Sequence, residues 1–246
     1  MLCMFATAQE NAVGEFLYIY HNDKTVERIN VSEIDSLKFV EVEPECSTDT
    51  LPAISQYEVV DLGLPSGLKW ATCNIGATKP EEYGKYYAWG EVEEKEDYTW
   101  ETYKWCDGSD NTMTKYCSEE DYGIVDNKAF LDPEDDVAQL EWGGRWRMPT
   151  SNDLRELIEN CEWIRTTLNN IHGYKVTGTN GNSIFLPSAG YRKGTEFCAV
   201  DLNGYYWSAS VSTSCCAVEL GMQDDDSYCT NSDNRCLGLT VRPVCK

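Results

Sequence analysis

The most regular hydrophobic pattern of the chain lies in its second half and predicts an α-helix. Four residues recur at i, i+3, i+4 and i+7, as on one face of a helix: Leu154, Leu157, Ile158 and Cys161. Thr150 precedes them and can accept a hydrogen bond from the first turn, where Asp153 stands. We therefore expect a helix after Thr150 whose apolar face, including Cys161, is buried.

Short apolar runs bounded by Gly, Pro, Asn and Asp predict β-strands on both sides of this helix. Near the N-terminus, residues 14–43 predict a small meander of three strands, with a polar turn at 21–24 and a capped turn at 32–35. The runs after the helix predict an antiparallel sheet: "YKVTG", "SIFLPSAGYR", "GYYWSAS", "CAVELGM" and "GLTVRPVC".

Two segments lack these periods. Residues 44–56 carry two prolines and clustered Ser and Thr, which is typical of a linker before a domain at 57–246. Residues 1–13 contain Ala6-Thr7-Ala8, a small-residue pattern of the kind signal peptidase cleaves, after an apolar stub. The segment predicts either the remnant of an export signal or a disordered N-terminus, and the first alternative predicts an exported protein.

Charge excludes several partners. The 246 residues include 42 acidic and 20 basic ones, a formal net charge of -22. Such a surface repels nucleic acid and anionic lipid, so neither is expected as a partner. No apolar run reaches the roughly 18 residues of a transmembrane helix, so no membrane-spanning segment is expected.

Twelve cysteines are present, and removal of Cys3 with a signal would leave eleven (12 − 1), so at least one thiol stays unpaired. Export favours disulfides, but the spacings show no regular framework. The sequence contains no C-x-x-C motif, so the cysteine spacing does not indicate a zinc site.

Several separated segments together resemble the Fibrobacter succinogenes major paralogous domain family of exported bacterial proteins. They are "DLGLPSGLKWATCNIGATKPEEYGKYYAWGE", "WGGRWRMPTSNDLRELIENCEW", "SIFLPSAGYR", "GYYWSAS" and "GLTVRPVC". The resemblance they carry spans roughly residues 57–246. The resemblance implies an α+β fold: a C-type lectin-like domain with a twisted antiparallel sheet, one or two helices and long loops. This fold is shared with formylglycine-generating enzymes and with proteins diversified by retroelements.

The resemblance implies a non-catalytic binding or adhesion module of a cell-surface protein, whose ligand is an extracellular glycan or protein. Two alternatives stay open. One is a formylglycine-generating-type copper oxidase or an inactive relative, with thiolate ligands among Cys229, Cys236 and Cys245, although the spacing of the enzymes' cysteine pair is not reproduced. The other is a structural subunit of a surface appendage that docks through its N-terminal meander.

Candidate ligand contacts come from strand alternation and loop position in the segment 205–234. This segment is rich in Ser, Tyr, Asp, Cys, Thr and Asn, which retroelement diversification introduces and adaptable binding surfaces use. The predicted contacts are Tyr205, Ser208, Ser210, Ser212, Ser214, Cys216, Asp224, Asp225, Tyr228 and Asn231.

Metal and catalytic chemistry has weaker support. Asp224, Asp225 and Asp226 could bind calcium, but the calcium-dependent lectin motifs are absent, and a solvated acidic loop is favoured with no cofactor. Cys215 and Cys216 are expected in a strand, with side chains on opposite faces that cannot share one ion. His21 and His172, expected in loops, have no nucleophile motif beside them, so no catalytic residue is expected.

The acidic loop "EDYTWETYKW" has two possible uses. Tyr98, Trp100, Tyr103 and Trp105 either anchor the loop in the core, which we favour, or form an exposed stacking platform. The tryptophans inside the family-like motifs are expected in the core, each with a partner for its N–H group: Trp70, Trp89, Trp142, Trp146 and Trp207.

Overall fold

The computed structural model describes Phe16–Tyr20, Val26–Asn30 and residues 58–246. The chain divides into two units, with the boundary between Leu51 and Pro52. In the first unit, β1 (Phe16–Tyr20) pairs antiparallel with β2 (Val26–Asn30). These are the first two strands of the predicted meander. Its third strand, His21, the linker and the segment 1–13 lie outside the described residues.

The described part of the second unit consists mostly of small sheets with two α-helices, which fits the predicted α+β class and also a mostly-β class. The helices are α1 (Val137–Trp142) and α2 (Ser151–Asn160), and three single-turn 3-10 helices cover Trp100–Thr102, Glu120–Tyr122 and Pro133–Asp135. The strands are β3 (Val59–Asp61), β4 (Lys69–Ala71), β5 (Met113–Cys117), β6 (Gly123–Val125), β7 (Glu162–Leu168), β8 (Ile171–Thr177), β9 (Ser183–Pro187), β10 (Tyr191–Lys193), β11 (Glu196–Cys198), β12 (Gly204–Val211), β13 (Cys216–Met222), β14 (Tyr228–Asn234) and β15 (Val244–Cys245).

Three of the sheets have three strands, in the orders β15-β4-β3, β7-β8-β9 and β12-β13-β14, and their neighbouring strands are antiparallel. The pairs β5-β6 and β10-β11 form two-stranded sheets, parallel in the first case and antiparallel in the second. Within the described residues, no helix is long and apolar enough to cross a membrane.

The prediction for the helix after Thr150 is confirmed. The Thr150 hydroxyl accepts a hydrogen bond from the Asp153 backbone N–H, and the Asp153 carboxylate accepts one from the Thr150 N–H, so the two residues form a capping box. Leu154 and Leu157 are buried, and Ile158 packs partly buried against the same core cluster. Cys161 also packs there, but it follows the last helical residue, Asn160, and is only partly buried. The spacing of the apolar residues therefore gave the correct buried face.

Aromatic side chains hold the long loop 81–105 to the core. Tyr98 and Tyr103 are almost fully buried, and their hydroxyls donate to the backbone carbonyls of Tyr86 (2.6 Å) and Trp89 (2.9 Å). Trp100 and Trp105 are half-buried against the same core clusters. The loop thus uses its aromatic residues as internal anchors, as expected, and they do not form an exposed platform.

The tryptophans of the family-like motifs lie in the core or pack against it. Trp89 Nε1 donates to the Ser208 carbonyl at 2.7 Å, and Trp207 Nε1 donates to the Tyr87 carbonyl at 2.9 Å. Trp146 is buried, and Trp142 packs partly buried against a core cluster. The prediction of a hydrogen-bond partner is wrong for Trp70, because its buried Nε1 has no acceptor among the described residues.

Candidate binding face on the β12-β13-β14 sheet

The sheet of β12, β13 and β14 carries most of the predicted contact residues. Seven consecutive residue pairs join β13 to β14, from Cys216 opposite Asn234 to Met222 opposite Tyr228. The register between β12 and β13 shifts between Trp207 and Val211. Directly paired residues share a face of an antiparallel sheet, so the register assigns each directly paired side chain to one of two faces.

The helix face, defined as the face that packs with α2 against one core cluster, carries Tyr206, Leu220, Met222 and Tyr228. Ser208 and Ser210 lie in the register shift between Trp207 and Val211 and are 0% and 3% exposed. The Ser208 hydroxyl donates to the Val218 carbonyl at 2.7 Å, and the Ser210 hydroxyl accepts from the Ser151 N–H at 2.9 Å. The prediction of both serines as ligand contacts is therefore wrong, because both are buried and their hydroxyls are used in hydrogen bonds inside the protein.

The prediction of Ser214 as a ligand contact is also wrong. Its side chain is 0% exposed, and its hydroxyl lies 3.2 Å from the Ser118 hydroxyl. The Ser214 side chain is directed into the protein and anchors the turn between β12 and β13. Ser212, two residues earlier, is exposed.

The aromatic face is the opposite side of the sheet, and its exposure increases from β12 to β14. Trp207 on β12 is fully buried, its neighbour Glu219 on β13 is 1% exposed, and Asn231 on β14 is exposed. Cys229, also exposed, and Asp233, half-buried, lie beside Asn231 on the same face of β14. The face therefore combines a rigid, buried floor with accessible polar side chains along one strand.

Tyr205 forms the end of the aromatic face nearest the start of β12. Its ring meets that of Tyr191 edge to face, with centroids 5.3 Å apart and an interplanar angle of 87°. Its hydroxyl accepts from Asn203 Nδ2 at 3.1 Å, and Asn203 Oδ1 accepts from the Asp224 N–H at 3.1 Å. Tyr205 and the turn between β13 and β14 are thus joined through Asn203.

Glu219 is a buried acid on the aromatic face. Its Oε2 has no hydrogen-bond partner among the described residues. Burial, together with the smaller effect of the negative charge of Asp233, raises the pKa of Glu219 to about 8. Glu219 is therefore mostly protonated at neutral pH. The burial of Glu219 was not predicted, because nothing in the sequence of a strand-like run shows whether a glutamate in it is buried or exposed.

The strand β14 lies in a stretch for which the sequence predicted no strand. Its sequence "YCTNSDN" has no apolar alternation, yet it pairs along its whole length with β13. Among the described strands β14 pairs with β13 alone, so it lies at the edge of the sheet. Polar side chains are typical of an edge strand that must stay in water.

The remaining predicted contacts are distributed over the sheet. Tyr228 lies on the helix face, where it stacks on Trp163 with centroids 4.6 Å apart. Asp224 and Asp225 are exposed in the turn between β13 and β14, and Ser227 donates two hydrogen bonds to Asp225 Oδ1 that hold the pKa of this carboxyl below its usual range. Tyr205 and Asn231 share the aromatic face.

Cys216 and Ser212 lie at the end of the sheet opposite the β13-β14 turn. The prediction that the side chains of Cys215 and Cys216 lie on opposite faces of a strand is wrong. Cys215 is in the turn and Cys216 begins β13, so strand alternation does not apply to them. Their sulfur atoms lie 3.6 Å apart.

The ten cysteines of the described part are all free thiols. The three considered as copper ligands lie in different surroundings: Cys229 is exposed on β14, Cys236 is buried in a core cluster, and Cys245 is half-buried on β15. In the part of the chain that the structure describes, no group of three or more His, Cys, Asp or Glu side chains is placed to hold a metal ion.

His172 lies on β8 and not in a loop as predicted. It is exposed, and its Nδ1 lies 2.9 Å from Asp201 Oδ2, while its N–H donates to Asp201 Oδ1 at 2.8 Å. The hydrogen bonds between His172 and Asp201 connect β8 to the loop before β12, so this pair has a structural role.

A separate depression of about 380 Å³ lies on the β7-β8-β9 sheet. It is lined mainly by apolar surface, with Thr72, Pro80, residues 166–168, Lys175 and residues 183–185 around it. None of the predicted contacts lines it. This depression is the natural reference surface for experiments on the aromatic face.

No protein-family model, curated protein or solved structure matches the chain.

Proposed function

We propose that residues 57–246 are a C-type lectin-like module of the Fibrobacter succinogenes major paralogous domain family, in an exported cell-surface protein. Its function is non-catalytic recognition of an extracellular glycan or protein. The supporting resemblance lies in the five sequence segments given above. Mostly-sheet architecture with α2 beginning at the Arg147-Met148-Pro149-Thr150 motif is compatible with this assignment.

The observation that carries the proposed function is the gradient across the aromatic face. Trp207 and Glu219 form a buried floor, and Asn231 and Cys229 project from a strand fixed by seven consecutive residue pairs. Such a surface can change its exposed side chains without disturbing the core beneath them. It also presents ordered polar groups to a ligand at little entropic cost.

The residue types on this surface suit recognition. Tyr205 offers aromatic area with one polar atom, and Asn231, Asp233 and the acidic turn at Asp224 offer hydrogen-bond acceptors. Tyr, Ser, Asn and Asp are the residues with which adaptable binding surfaces combine rigid contact and hydrogen bonding. The contacts we propose are therefore Tyr205, Asp224, Asp225, Asn231 and Asp233.

The test is a binding screen of the full chain against arrays of glycans and extracellular proteins. Asn231→Arg places a bulky side chain on the aromatic face, and Thr167→Arg does the same at the exposed rim of the depression. Loss of the array signals in Asn231→Arg with retention in Thr167→Arg supports the proposal. The reverse pattern assigns recognition to the β7-β8-β9 sheet and contradicts it.

A further inference from the structure

The turn between β12 and β13 brings two adjacent thiols into contact. Cys215 Sγ and Cys216 Sγ are 3.6 Å apart, and both side chains are half-buried, so a small reagent can reach them. A disulfide bond needs the sulfurs at about 2.05 Å, so closure requires an approach of about 1.5 Å. Rotation about the χ1 angles of the two cysteines can move their sulfur atoms by such a distance.

The backbone on both sides of the pair is held in place. Cys216 N–H donates to the Thr213 carbonyl at 3.2 Å, and the same carbonyl accepts from Arg235 Nη2 at 2.8 Å. Ser214, between them, is anchored on Ser118. The proximity of the two sulfurs is therefore a property of a fixed turn, as a reaction between them requires.

The two thiols have different surroundings. Burial, helped by the hydrogen bond with Cys215 and opposed by a hydrogen bond with Thr213, raises the pKa of Cys216 to about 11. Cys216 therefore keeps its proton at neutral pH and can donate it to the Cys215 sulfur. Cys215 is the better placed of the two to attack.

We propose that Cys215 and Cys216 form a vicinal dithiol site that reacts with low-molecular-weight disulfides and closes into an intramolecular disulfide. The Cys215 thiolate attacks one sulfur of the oxidant, forming a mixed disulfide and releasing one reduced thiol. Cys216 then loses its proton and attacks Cys215 Sγ, releasing the second reduced thiol. Two electrons pass from the protein to the oxidant, and the proton of each protein thiol leaves with a released thiol or to water.

The closed form is expected to be readily reduced. Adjacent Cα atoms are about 3.8 Å apart across a trans peptide, whereas disulfides favour about 4.4–6.8 Å, and departures from this range make the bond more reducible. The pair is therefore a reversible site and not a structural cross-link. This inference does not depend on the proposed ligand-binding function.

The test uses the full chain, oxidised glutathione and disulfide mapping by mass spectrometry. Wild type is expected to yield a peptide with a Cys215–Cys216 bond, lighter by two hydrogens, that dithiothreitol reopens. Cys216→Ser is expected to stop at a glutathione adduct on Cys215. Cys229→Ser, which removes an exposed thiol elsewhere on the sheet, is expected to close the ring as wild type does.

A second measurement does not depend on how the variants fold. Phenylarsine oxide binds two close thiols jointly, and joint binding exceeds binding by one thiol by about 100-fold or more. The arsenical on wild type should therefore resist a monothiol competitor and yield to ethanedithiol. A final state of wild type with only glutathione adducts, or an arsenical equally removed by the monothiol, would overturn the proposal.

Discussion

The phenol rings of Tyr205 and Tyr191 meet edge to face at 5.3 Å, which fixes one end of the aromatic face. Such a pair contributes about 0.5–1.5 kcal/mol beyond the area that it buries. We expect Tyr205→Ala to lower the free energy of unfolding by about 1–3 kcal/mol. Tyr205→Phe, which keeps the ring and loses only the bond from Asn203, should lower it by about 1 kcal/mol or less.

Urea denaturation followed by tryptophan fluorescence measures both changes. Asn231→Ala is the matched control, because its side chain is exposed on the same face. Its effect should stay within about 0.5 kcal/mol. If Tyr205→Ala is as stable as Asn231→Ala, the ring pair does not organise this end of the face.

Glu219 is expected to make the protein less stable as pH rises through neutrality. Its pKa is about 8 in the folded protein, against 4.5 for a glutamate in the unfolded chain. Between these values the folded state holds a proton that the unfolded state has lost. The free energy of unfolding therefore falls by about 1.4 kcal/mol for each pH unit across this window.

Glu219→Gln removes this dependence, because the amide is neutral at every pH. We expect it to match wild type near pH 4 and to exceed it by about 3 kcal/mol at pH 7. Denaturation at a series of pH values measures the difference, with the exposed Glu196→Gln as control. Parallel pH profiles for wild type and Glu219→Gln would show that the acid is solvated.

Arg242 is expected to be the most destabilising of these positions to replace. Its guanidinium is fully buried and donates to Asn74 Oδ1 at 2.7 Å and to the Phe185 carbonyl at 2.9 Å. Arg242→Met leaves these acceptors buried without donors, so we expect a loss of about 3–5 kcal/mol. Thermal unfolding of this variant and of the exposed Lys193→Met provides the comparison. Similar melting temperatures would contradict this assignment.

The cap of α2 offers a smaller and more local test. Thr150→Ala removes the hydroxyl that accepts from the Asp153 N–H. We expect a loss of about 1 kcal/mol, because one backbone donor of the first turn loses its partner. Thr150→Ser keeps the hydroxyl and should restore most of the stability in the same urea denaturation experiment. Equal stability of the two variants would contradict the role of the cap.

The sequence predicted those elements whose own hydrophobic pattern determines them. The residues of α2 form an apolar stripe with a cap at Thr150, and β12 and β13 are apolar runs between turns, so all three were located correctly. The aromatic residues of the loop 81–105 were likewise expected in the core. In each case the local signal and the tertiary packing favour the same structure.

The candidate face was harder to predict, for physical reasons. The strand β14 is polar on both faces, so it has no alternation, and its pairing with β13 is a tertiary contact. Alternation groups Ser208 with Ser210 but cannot decide which face α2 covers. The contact between Cys215 and Cys216 depends on a turn conformation that apolar periodicity does not encode.

The proposed recognition by the aromatic face has one most direct measurement. The full chain, Asn231→Arg and Thr167→Arg are titrated against the strongest ligand from the glycan and protein arrays. We expect Asn231→Arg to weaken binding by about tenfold or more, as occlusion of a central contact does, and Thr167→Arg to bind as wild type does. Unchanged affinity of Asn231→Arg, or a loss confined to Thr167→Arg, would contradict the assignment of this face.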